Sequence, residues 1–437
     1  MRKCLEDIIN ISKLVKTIKD EFAEINLLDS SKNIGKCDVL FFCHDDNRGL
    51  VLNKKTYSPL IDSLGQYFEH IGLKCQTIAK PWSRLVGRAA FGNTHAINRV
   101  YLYSLMLHRL MRTAKKWSNI ESPLTTFYEN IITKSSPKFI ISIGAPAFLS
   151  EAARRQRVIH FEILHGYGYC TLPFGWDALP KKYLPQGVLS MDAVSTATFS
   201  KLAKYNILIW QIENPFYSAF IQNLIKKQCF LYSGENEKKV SSRFRRNILI
   251  LLQWGYENNK DGLPELNNIL QNGILYDEII SLIIESPRDL YFKIRLHPVQ
   301  LGSIKRRREI VAFLNSRLSE YDNWDCDYSS EAPLWQVASD CDGGMTMFSS
   351  SAYELAAMGI QTLVLCPTLM INGFQEAVFN DLEEEGYVKK MSIDNENFRD
   401  WIYSVTRKHP WKSRGKSLNI DELKDNLLLS SLGDRNA

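Results

Sequence analysis

The sequence predicts an α/β protein in which two doubly wound, Rossmann-type domains face each other across a central cleft. Short apolar runs, typical of parallel strands buried on both faces, alternate with helical segments in both halves of the chain. This alternation is typical of parallel sheets covered by helices. The predicted strands include 39–43, 74–78, 139–143, 158–164 and 207–210 in the first half, and 247–252, 291–296 and 362–365 in the second.

The length also indicates two domains. A chain of 437 residues is too long for one ordinary core and suits two domains of roughly 200 residues each. We place the boundary near Pro215, which gives a first domain at 1–215 and a second at 216–437. Helical periodicity at 4–28 predicts a helix packed on the body, and the polar segment from Trp401 onward predicts a helical tail.

Composition excludes several classes of protein. The formal charge of +6 is mild, and the two short arginine clusters lack the aromatic neighbours that would form a nucleic-acid stacking platform. The nine cysteines include no Cys-x-x-Cys pair, which fits a reducing cytoplasm and argues against a zinc site. No apolar run reaches the ~18 residues that a membrane span needs. We expect a cytoplasmic protein, with peripheral contact at the inner membrane face as a further option and nucleic acid excluded as a partner.

Polar residues follow two predicted strands of the first domain. The run 39–43 ends at a cluster in which Asp45, Asp46 and Arg48 are candidates for the acceptor side of the cleft, with a solvated loop as the alternative. The run 158–164 carries Glu162 and ends at His165, followed by Gly-Tyr-Gly-Tyr. A core histidine bonded to a backbone carbonyl is the alternative for His165.

The second domain carries two informative phrases. The strand at 291–296, which carries the basic residue Arg295, ends at His297-Pro298. About fifty residues later, a short strand leads into Phe348-Ser349-Ser350 and a helix over about 351–358, stopped by Gly359. Free N–H groups at such a helix start favour phosphate. Glu354 lies one turn inside the helix and could accept hydrogen bonds from two ribose hydroxyls.

These phrases, in this order, resemble the carboxyl-terminal half of bacterial GT-B transferases that use cytidine nucleotides. The resemblance covers the capsule and lipopolysaccharide Kdo transferases, the polysialyltransferases and the teichoic-acid glycerophosphotransferases. It implies that His297, Ser349 and Ser350 contact the donor phosphate and that Glu354 contacts the ribose. It also implies donor contacts for Gln253 and Gly255, which follow the first strand of the second domain, and for Arg295 and Pro298.

The same resemblance implies catalytic roles in the first domain. The Glu162–Gly166 segment resembles the Glu-x-Gln-His-Gly segment of these families, so His165 is the implied general base and Glu162 the weaker alternative. A histidine suits this task because its pKa lies near 7. The acidic and amide residues at 257–261 leave the choice between retaining and inverting chemistry open.

The predicted function is a glycosyltransferase of bacterial surface polysaccharide synthesis. It would move Kdo or a sialic-type sugar from a CMP-linked donor to a glycan or lipid-linked acceptor, without a resident cofactor. No Asp-x-Asp lies at a predicted strand end where a metal–diphosphate bridge would be expected, and Asp325-Cys326-Asp327 lies in a polar stretch, so we expect no metal. The alternatives are a CDP-polyol phosphotransferase, a UDP-sugar transferase, and a non-catalytic nucleotide-sugar-binding subunit of a polysaccharide assembly complex.

Overall fold

The computed structural model of the chain describes residues 28–52, 54–113, 122–144, 146–217, 244–253, 274–286, 288–301, 304–365, 378–393, 397–411 and 418–433. Three predictions fall outside these residues: the amino-terminal helix at 4–28, of which the last residue alone is described, the donor contact of Gly255, and the acidic cluster at 257–261.

A parallel sheet of six described strands forms the core of the first domain, in the order β4-β1-β5-β6-β7-β8. Its strands are β1 (Val39–Cys43), β4 (Cys75–Ala79), β5 (Phe139–Ser142), β6 (Ile159–Ile163), β7 (Gly187–Ser190) and β8 (Leu208–Gln211). β1 is buried along its whole length because helices cover both faces of the sheet. The strand order reverses between β1 and β5, which is the position where doubly wound sheets bind ligands.

Five α-helices and a small hairpin complete the described part of this domain. The helices are α1 (Ile61–His70), α2 (Asn98–Thr113), α3 (Pro123–Ser135), α4 (Ala147–Arg155) and α5 (Ala193–Ser200). The antiparallel strands β2 (Leu50–Leu52) and β3 (Lys55–Tyr57) form the hairpin. The amphipathic sequence from Tyr57 to His70 predicts a helix, but Tyr57 ends β3 and α1 begins only at Ile61, after Pro59.

The second domain repeats the plan with another parallel sheet of six described strands, in the order β11-β10-β9-β12-β13-β14. Its strands are β9 (Arg246–Leu251), β10 (Leu290–Arg295), β11 (Trp324–Asp325), β12 (Gly343–Thr346), β13 (Gln361–Val364) and β14 (Val388–Lys390). This is the order 3-2-1-4-5-6 of Rossmann dinucleotide-binding sheets, with the topological switch point between β9 and β12.

Eight α-helices are described around and beyond the second sheet. They are α6 (Asp277–Glu285), α7 (Pro298–Leu301), α8 (Ile304–Leu318), α9 (Asp327–Glu331), α10 (Leu334–Ala338), α11 (Ser351–Ala357), α12 (Asn380–Glu384) and α13 (Asn397–Ser404). The basic residue Lys293 in the middle of β10 is 4% exposed. It is tolerated there because its Nζ lies 2.6 Å from a carboxylate oxygen of Asp340.

The last helix, α14 (Ile420–Gly433), packs on the first domain. Leu423 and Leu427 are buried in the same apolar cluster as the strands β1, β5 and β6. Just before the helix, Leu418 forms a bridge with Ile212, which follows β8. The helical tail predicted from Trp401 therefore crosses back to the first domain through α14, so the first structural unit contains residues from both ends of the described chain.

Candidate active site

The topological switch point of the second sheet, between β9 and β12, holds in place the turn at residues 348–350, here called the serine turn. The Thr346 hydroxyl, at the end of β12, donates to the Leu251 carbonyl at the end of β9 over 3.1 Å. The same hydroxyl oxygen accepts the Ser349 N–H at 3.0 Å. Ser349 is buried, while Ser350, the residue before α11, is exposed. The structure thus presents Ser350 at the edge of the sheet where Rossmann-type domains bind ligands.

Glu354 and Arg295 are two half-buried charged residues beside this turn. Burial raises the pKa of the Glu354 carboxyl to about 7, although the charge of Arg295 and a hydrogen bond from Ser351 act in the opposite direction. The Arg295 guanidinium Nη1 donates to the carbonyls of Ser329 and Ala332 at 2.5 and 2.6 Å. Arg295 is therefore fixed at the end of β10, where it supplies positive charge near Glu354.

His297 lies at the end of β10, and Pro298 begins the short helix α7. The backbone N–H of His297 donates to the side-chain oxygen of Gln300 at 2.8 Å. The side-chain amide of Gln300 in turn donates to the backbone carbonyl of Gln253 at 3.3 Å. His297 and Gln253 are thereby linked across the ends of β10 and β9. Burial lowers the pKa of His297 to about 4, so its imidazole is neutral at pH 7.

The loop after β6 is held by a buried carboxylate. Asp192, at the amino-terminal cap of α5, accepts the Gly168 N–H at 3.1 Å and the Ser195 hydroxyl at 2.6 Å. The Ser195 hydroxyl oxygen accepts the Tyr169 N–H at 3.0 Å. Gly168 has φ of +71°, and a Cβ there would lie 2.6 Å from Val378 of the second domain. Only glycine fits this close approach.

The catalytic candidates His165 and Glu162 both lie near Tyr169. The Tyr169 hydroxyl lies 2.9 Å from His165 Nδ1, and the His165 side chain is exposed. Burial raises the pKa of Tyr169, and the charge of Glu162 raises it further. Tyr169 therefore contacts the exposed candidate, His165, and lies within electrostatic range of the buried candidate, Glu162.

The first-domain loop meets the serine turn of the second domain. A Cβ built on Gly166 would lie 4.0 Å from the Ser350 hydroxyl oxygen. The next residue, Tyr167, stacks on Tyr353 of α11 with ring centroids 4.4 Å apart. The structure therefore brings together the His165 phrase and the Ser349-Ser350-Glu354 phrase, which lie almost two hundred positions apart in the sequence.

The structure buries one residue of the polar cluster after β1 and places the other two in the loop that follows the strand. Arg48, expected at the acceptor side of the cleft, is 1% exposed and lies 2.9 Å from the Asp62 carboxylate of α1. The guanidinium can be buried inside the first domain because this ion pair supplies the partner that a buried charge requires. Asp45 accepts the Arg84 N–H at 2.7 Å and also bonds the Ser83 hydroxyl, so it anchors the following loop. Asp46 lies in the short 3₁₀ helix Asp45–Asn47.

Sequence reasoning missed several residues of this site. They are Ser142, His160, Tyr167, Tyr169 and Asp192. His160 alternates with Glu162 along β6, and Asp192 stands three positions before Ser195 as a capping residue does, so both left a signal in the sequence. The tyrosines left none, because an aromatic residue in a loop is equally compatible with a surface position.

The side chains and helices of the described residues also bear on metal binding and on membrane insertion. No group of three or more histidine, cysteine, aspartate or glutamate side chains in that part of the chain is arranged to hold a metal ion. The Asp325-Cys326-Asp327 sequence was expected to lie away from any strand end, but Asp325 is the last residue of β11 (Trp324–Asp325), so that expectation is wrong. Its carboxylate accepts the Ser329 N–H at 2.8 Å, in the first turn of α9. None of the helices described is both long and apolar enough to cross a bilayer.

Comparisons with known proteins support the architecture at the level of structure. No model of a known protein family matches the chain, and no curated protein does. The UDP-GlcNAc 2-epimerase of Methanocaldococcus jannaschii, in complex with UDP-GlcNAc and UDP, has 12% sequence identity and a TM-score of 0.53, with 90% of this chain and 99% of that chain covered.

Two further solved structures are similar. The UDP-GlcNAc 2-epimerase of Neisseria meningitidis, bound to UDP-GlcNAc, has 14% identity and a TM-score of 0.51, with 90% of this chain and 99% of that chain covered. The wall teichoic acid polymerase TagF has 12% identity and a TM-score of 0.48, with 100% of this chain and 92% of that chain covered. The epimerase similarities and the two parallel sheets show that this chain has the GT-B fold. Identity at this level shows the fold alone.

Proposed function

We propose that this protein is a glycosyltransferase of bacterial surface polysaccharide synthesis that transfers Kdo or a sialic-type sugar from a CMP-activated donor to a glycan acceptor. The observation that carries the proposal is the meeting of the His165 loop with the serine turn, because it unites a general-base candidate with the candidate donor site. The GT-B fold supports it, since the epimerases of the same fold have UDP or UDP-GlcNAc bound.

The donor would lie at the switch point of the second sheet. Ser349, Ser350 and His297 would bind the phosphate, with Gln253 and Pro298 beside it, and Glu354 would accept hydrogen bonds from the ribose hydroxyls. Arg295 would favour an anionic ligand through its charge, although its Nη1 atom is committed to two carbonyls. Of the three phosphate-binding candidates Ser349, Ser350 and His297, Ser350 is the exposed one, so it would make the most direct contact.

The reaction would take place between this turn and His165. An acceptor hydroxyl attacks the anomeric carbon of the donor sugar, the bond from that carbon to the phosphate oxygen breaks, and CMP leaves with the electron pair. His165 takes the hydroxyl proton as general base. The Tyr169 hydroxyl orients the imidazole of His165 through its contact at 2.9 Å. The acceptor is a glycan or a lipid-linked glycan, and the reaction belongs to the cytoplasmic side of the inner membrane.

A thermal-shift panel of CMP, CDP, UDP, UMP and GDP tests the donor class. A nucleotide that binds the folded state alone should raise the free energy of unfolding by about 2.7 kcal/mol at a hundred times its dissociation constant. We expect CMP or CDP to produce the largest shift. If UDP stabilises the protein most, the CMP assignment is wrong and an ordinary UDP-sugar enzyme takes its place.

Turnover separates an enzyme from a binding subunit. We expect the purified protein to hydrolyse a CMP-sugar slowly, to keep this activity in EDTA, and to lose it in His165→Ala. Binding of nucleotide without any turnover, in the presence of glycan acceptors, would favour a non-catalytic subunit. Loss of activity in EDTA and its recovery with Mg²⁺ or Mn²⁺ would show that a metal takes part.

A further inference from the structure

A cavity of about 340 Å³ opens in the first domain beside Glu162. It lies at the carboxyl ends of the strands of the first sheet, between the loop after β5 and the segment 176–185. Pockets for drug-sized ligands range from about 300 to 1,000 Å³, so this one suits a single small ring rather than an extended chain.

The polar wall of the cavity is built around the Glu162 carboxylate. Glu162 is 5% exposed, and it accepts the Ser142 hydroxyl at 2.5 Å and the Gly144 N–H. Gly144 has φ of +66°, and a Cβ built on it would lie 3.0 Å from the Lys80 ammonium. A carboxylate and an ammonium group therefore converge on one glycine at the mouth of the cavity.

A directed chain of hydrogen bonds fixes this carboxylate from behind. Since an ionised carboxylate only accepts, the Ser142 hydroxyl must donate its proton to Glu162. Its oxygen, 2.6 Å from His160 Nε2, must then accept a proton from that nitrogen. His160 Nδ1 is left as an acceptor, and it receives the Ser150 hydroxyl at 3.1 Å. Both ends of the chain, Ser150 and Glu162, line the cavity.

The opposite walls are apolar and aromatic. They are formed by Pro146, Ala147, Trp176, Leu179, Tyr183 and Pro185. Trp176 is 8% exposed and packs edge-on against Phe199, which holds its ring in one orientation. A pyranose ring matches such a cavity, because its axial C–H bonds form an apolar face while its hydroxyls both donate and accept hydrogen bonds.

We infer that this cavity binds one pyranose ring of the acceptor glycan, with the ring packed on Trp176 and a pair of neighbouring hydroxyls bound between Glu162 and Lys80. The inference rests on the proposed function, and it deepens it by naming the part of the acceptor that the first domain recognises. Glu162 is then a binding residue, and Ser142, His160 and Ser150 are positioning residues that act through it. His165 keeps the role of base.

Direct binding tests the inference without any donor. The full chain is mixed with methyl glycosides of glucose, galactose, N-acetylglucosamine and glucuronic acid, and with glycerol as an acyclic control, and saturation transfer is observed by NMR. We expect transfer to at least one pyranoside and none to glycerol. Ala147→Phe fills the cavity and should abolish the signal. Ala203→Phe, the same change on an exposed residue of the same domain, should leave it intact.

A second variant covers the case in which Ala147→Phe does not fold. Glu162→Gln replaces a charged hydrogen-bond acceptor with a neutral one, and it should weaken binding of the same glycoside by about fivefold, the difference between the two kinds of hydrogen bond. With acceptor and donor present, it should raise the KM for the acceptor and leave kcat nearly unchanged. A fall in kcat of about 10²-fold at unchanged KM would instead make Glu162 the base and overturn the binding role.

The cavity assignment and the proposed function are overturned by different results. If no pyranoside gives saturation transfer, or if Ala147→Phe binds the glycoside as the wild type does, the cavity is not the sugar site. The nucleotide panel on the same samples reports on the donor site independently. Pyranoside binding without any nucleotide stabilisation would overturn the proposed function and leave the cavity assignment standing.

Discussion

The ring of Tyr167 stacks on the ring of Tyr353 with centroids 4.4 Å apart and planes inclined by 11°. Each ring is also held by a hydrogen bond within its own part of the site. The Tyr167 hydroxyl accepts the Asn214 side-chain amide at 2.6 Å, and the Tyr353 hydroxyl donates to Asp381 at 2.9 Å. The stack therefore links the loop that carries His165 to the helix that follows Ser350, and it sets the distance between the two halves of the candidate site.

Two substitutions at Tyr167 separate the stack from its hydrogen bond. Tyr167→Phe keeps the ring and should lower the free energy of unfolding by about 0.5–1.5 kcal/mol, the worth of one hydrogen bond. Tyr167→Leu removes the stack as well, and should lower it by about 0.5–1.5 kcal/mol more. Urea denaturation followed by circular dichroism measures both. Equal stability of the two variants would show that the stacking geometry contributes nothing.

Tyr167→Phe and Tyr167→Leu should differ more in turnover than in the free energy of unfolding. Loss of the stack lets the His165 loop shift relative to Ser350, and a displacement of about 1 Å can lower kcat roughly 10²-fold. Tyr167→Phe should stay within a few fold of wild type. If Tyr167→Leu keeps near-normal turnover, the loop is positioned by Asp192 and Ser195 alone.

Replacing His297 and His165 by alanine should affect nucleotide binding and turnover differently. His297 lies on the donor side of the proposed site and is neutral at pH 7, since burial lowers its pKa to about 4. His297→Ala should therefore cost about 0.5–1.5 kcal/mol of nucleotide binding, less than the loss of a charged contact. His165→Ala should leave nucleotide affinity intact and lower turnover about 10²–10⁴-fold.

Calorimetry with the preferred nucleotide and initial rates with acceptor measure these effects, after circular dichroism has confirmed folding. A His165→Ala variant with near-full rate would move the base to Glu162 or Asp45. Unfolding of both variants would support purely structural histidines.

Much of this site could be predicted because it depends on strand ends. An apolar run predicts a buried strand, and the residue after it must lie at the sheet edge, so His165, His297 and the Ser349 turn follow from local sequence. Arg48 also follows a strand, yet its guanidinium turns inward to Asp62, fourteen positions on. Local sequence does not show such a pairing, because it depends on how α1 packs over β1. The same holds for the Tyr167–Tyr353 stack, which exists only once both domains are placed.

Nucleotide affinity should depend on pH through Glu354. Its pKa is raised to about 7 by burial, and only the ionised carboxylate accepts hydrogen bonds from both ribose hydroxyls. The ionised fraction falls as pH falls through 7, so binding should weaken about tenfold between pH 8 and pH 6. The phosphate of the nucleotide also titrates, with a second pKa near 6. Glu354→Gln removes the carboxylate and isolates the phosphate contribution; identical pH profiles for variant and wild type would exclude a ribose contact.

The same raised pKa has a consequence for stability that does not require a ligand. Because the folded state holds the Glu354 proton more tightly than the unfolded state does, this residue destabilises the fold as pH rises from about 4.5 to about 7. Glu354→Gln should therefore gain stability relative to wild type over this interval. The gain is read as the difference between urea denaturation curves at pH 5 and pH 7.5. A constant difference would show that Glu354 titrates normally.

The hydrogen-bond chain behind Glu162 predicts the tautomer of His160. Burial lowers the pKa of this histidine to about 3, so the imidazole is neutral at pH 7. Because Ser142 donates to Glu162, the imidazole must carry its proton on Nε2. Long-range ¹H–¹⁵N NMR of histidine-labelled protein distinguishes the protonated nitrogen from the bare one, and we expect the Nε2–H form.

Glu162→Gln should reverse the whole chain. The amide oxygen must face the Gly144 N–H, so the amide NH₂ donates to Ser142, Ser142 donates to His160 Nε2, and the imidazole proton moves to Nδ1 and points to Ser150. Every bond survives with its direction inverted, so the variant should fold with nearly unchanged stability while its His160 signals switch tautomer. In Ser142→Ala the connection is cut, and adding Glu162→Gln should then leave the tautomer as it is. If the His160 tautomer is the same in Glu162→Gln as in the wild type, His160 and Glu162 are not coupled through Ser142.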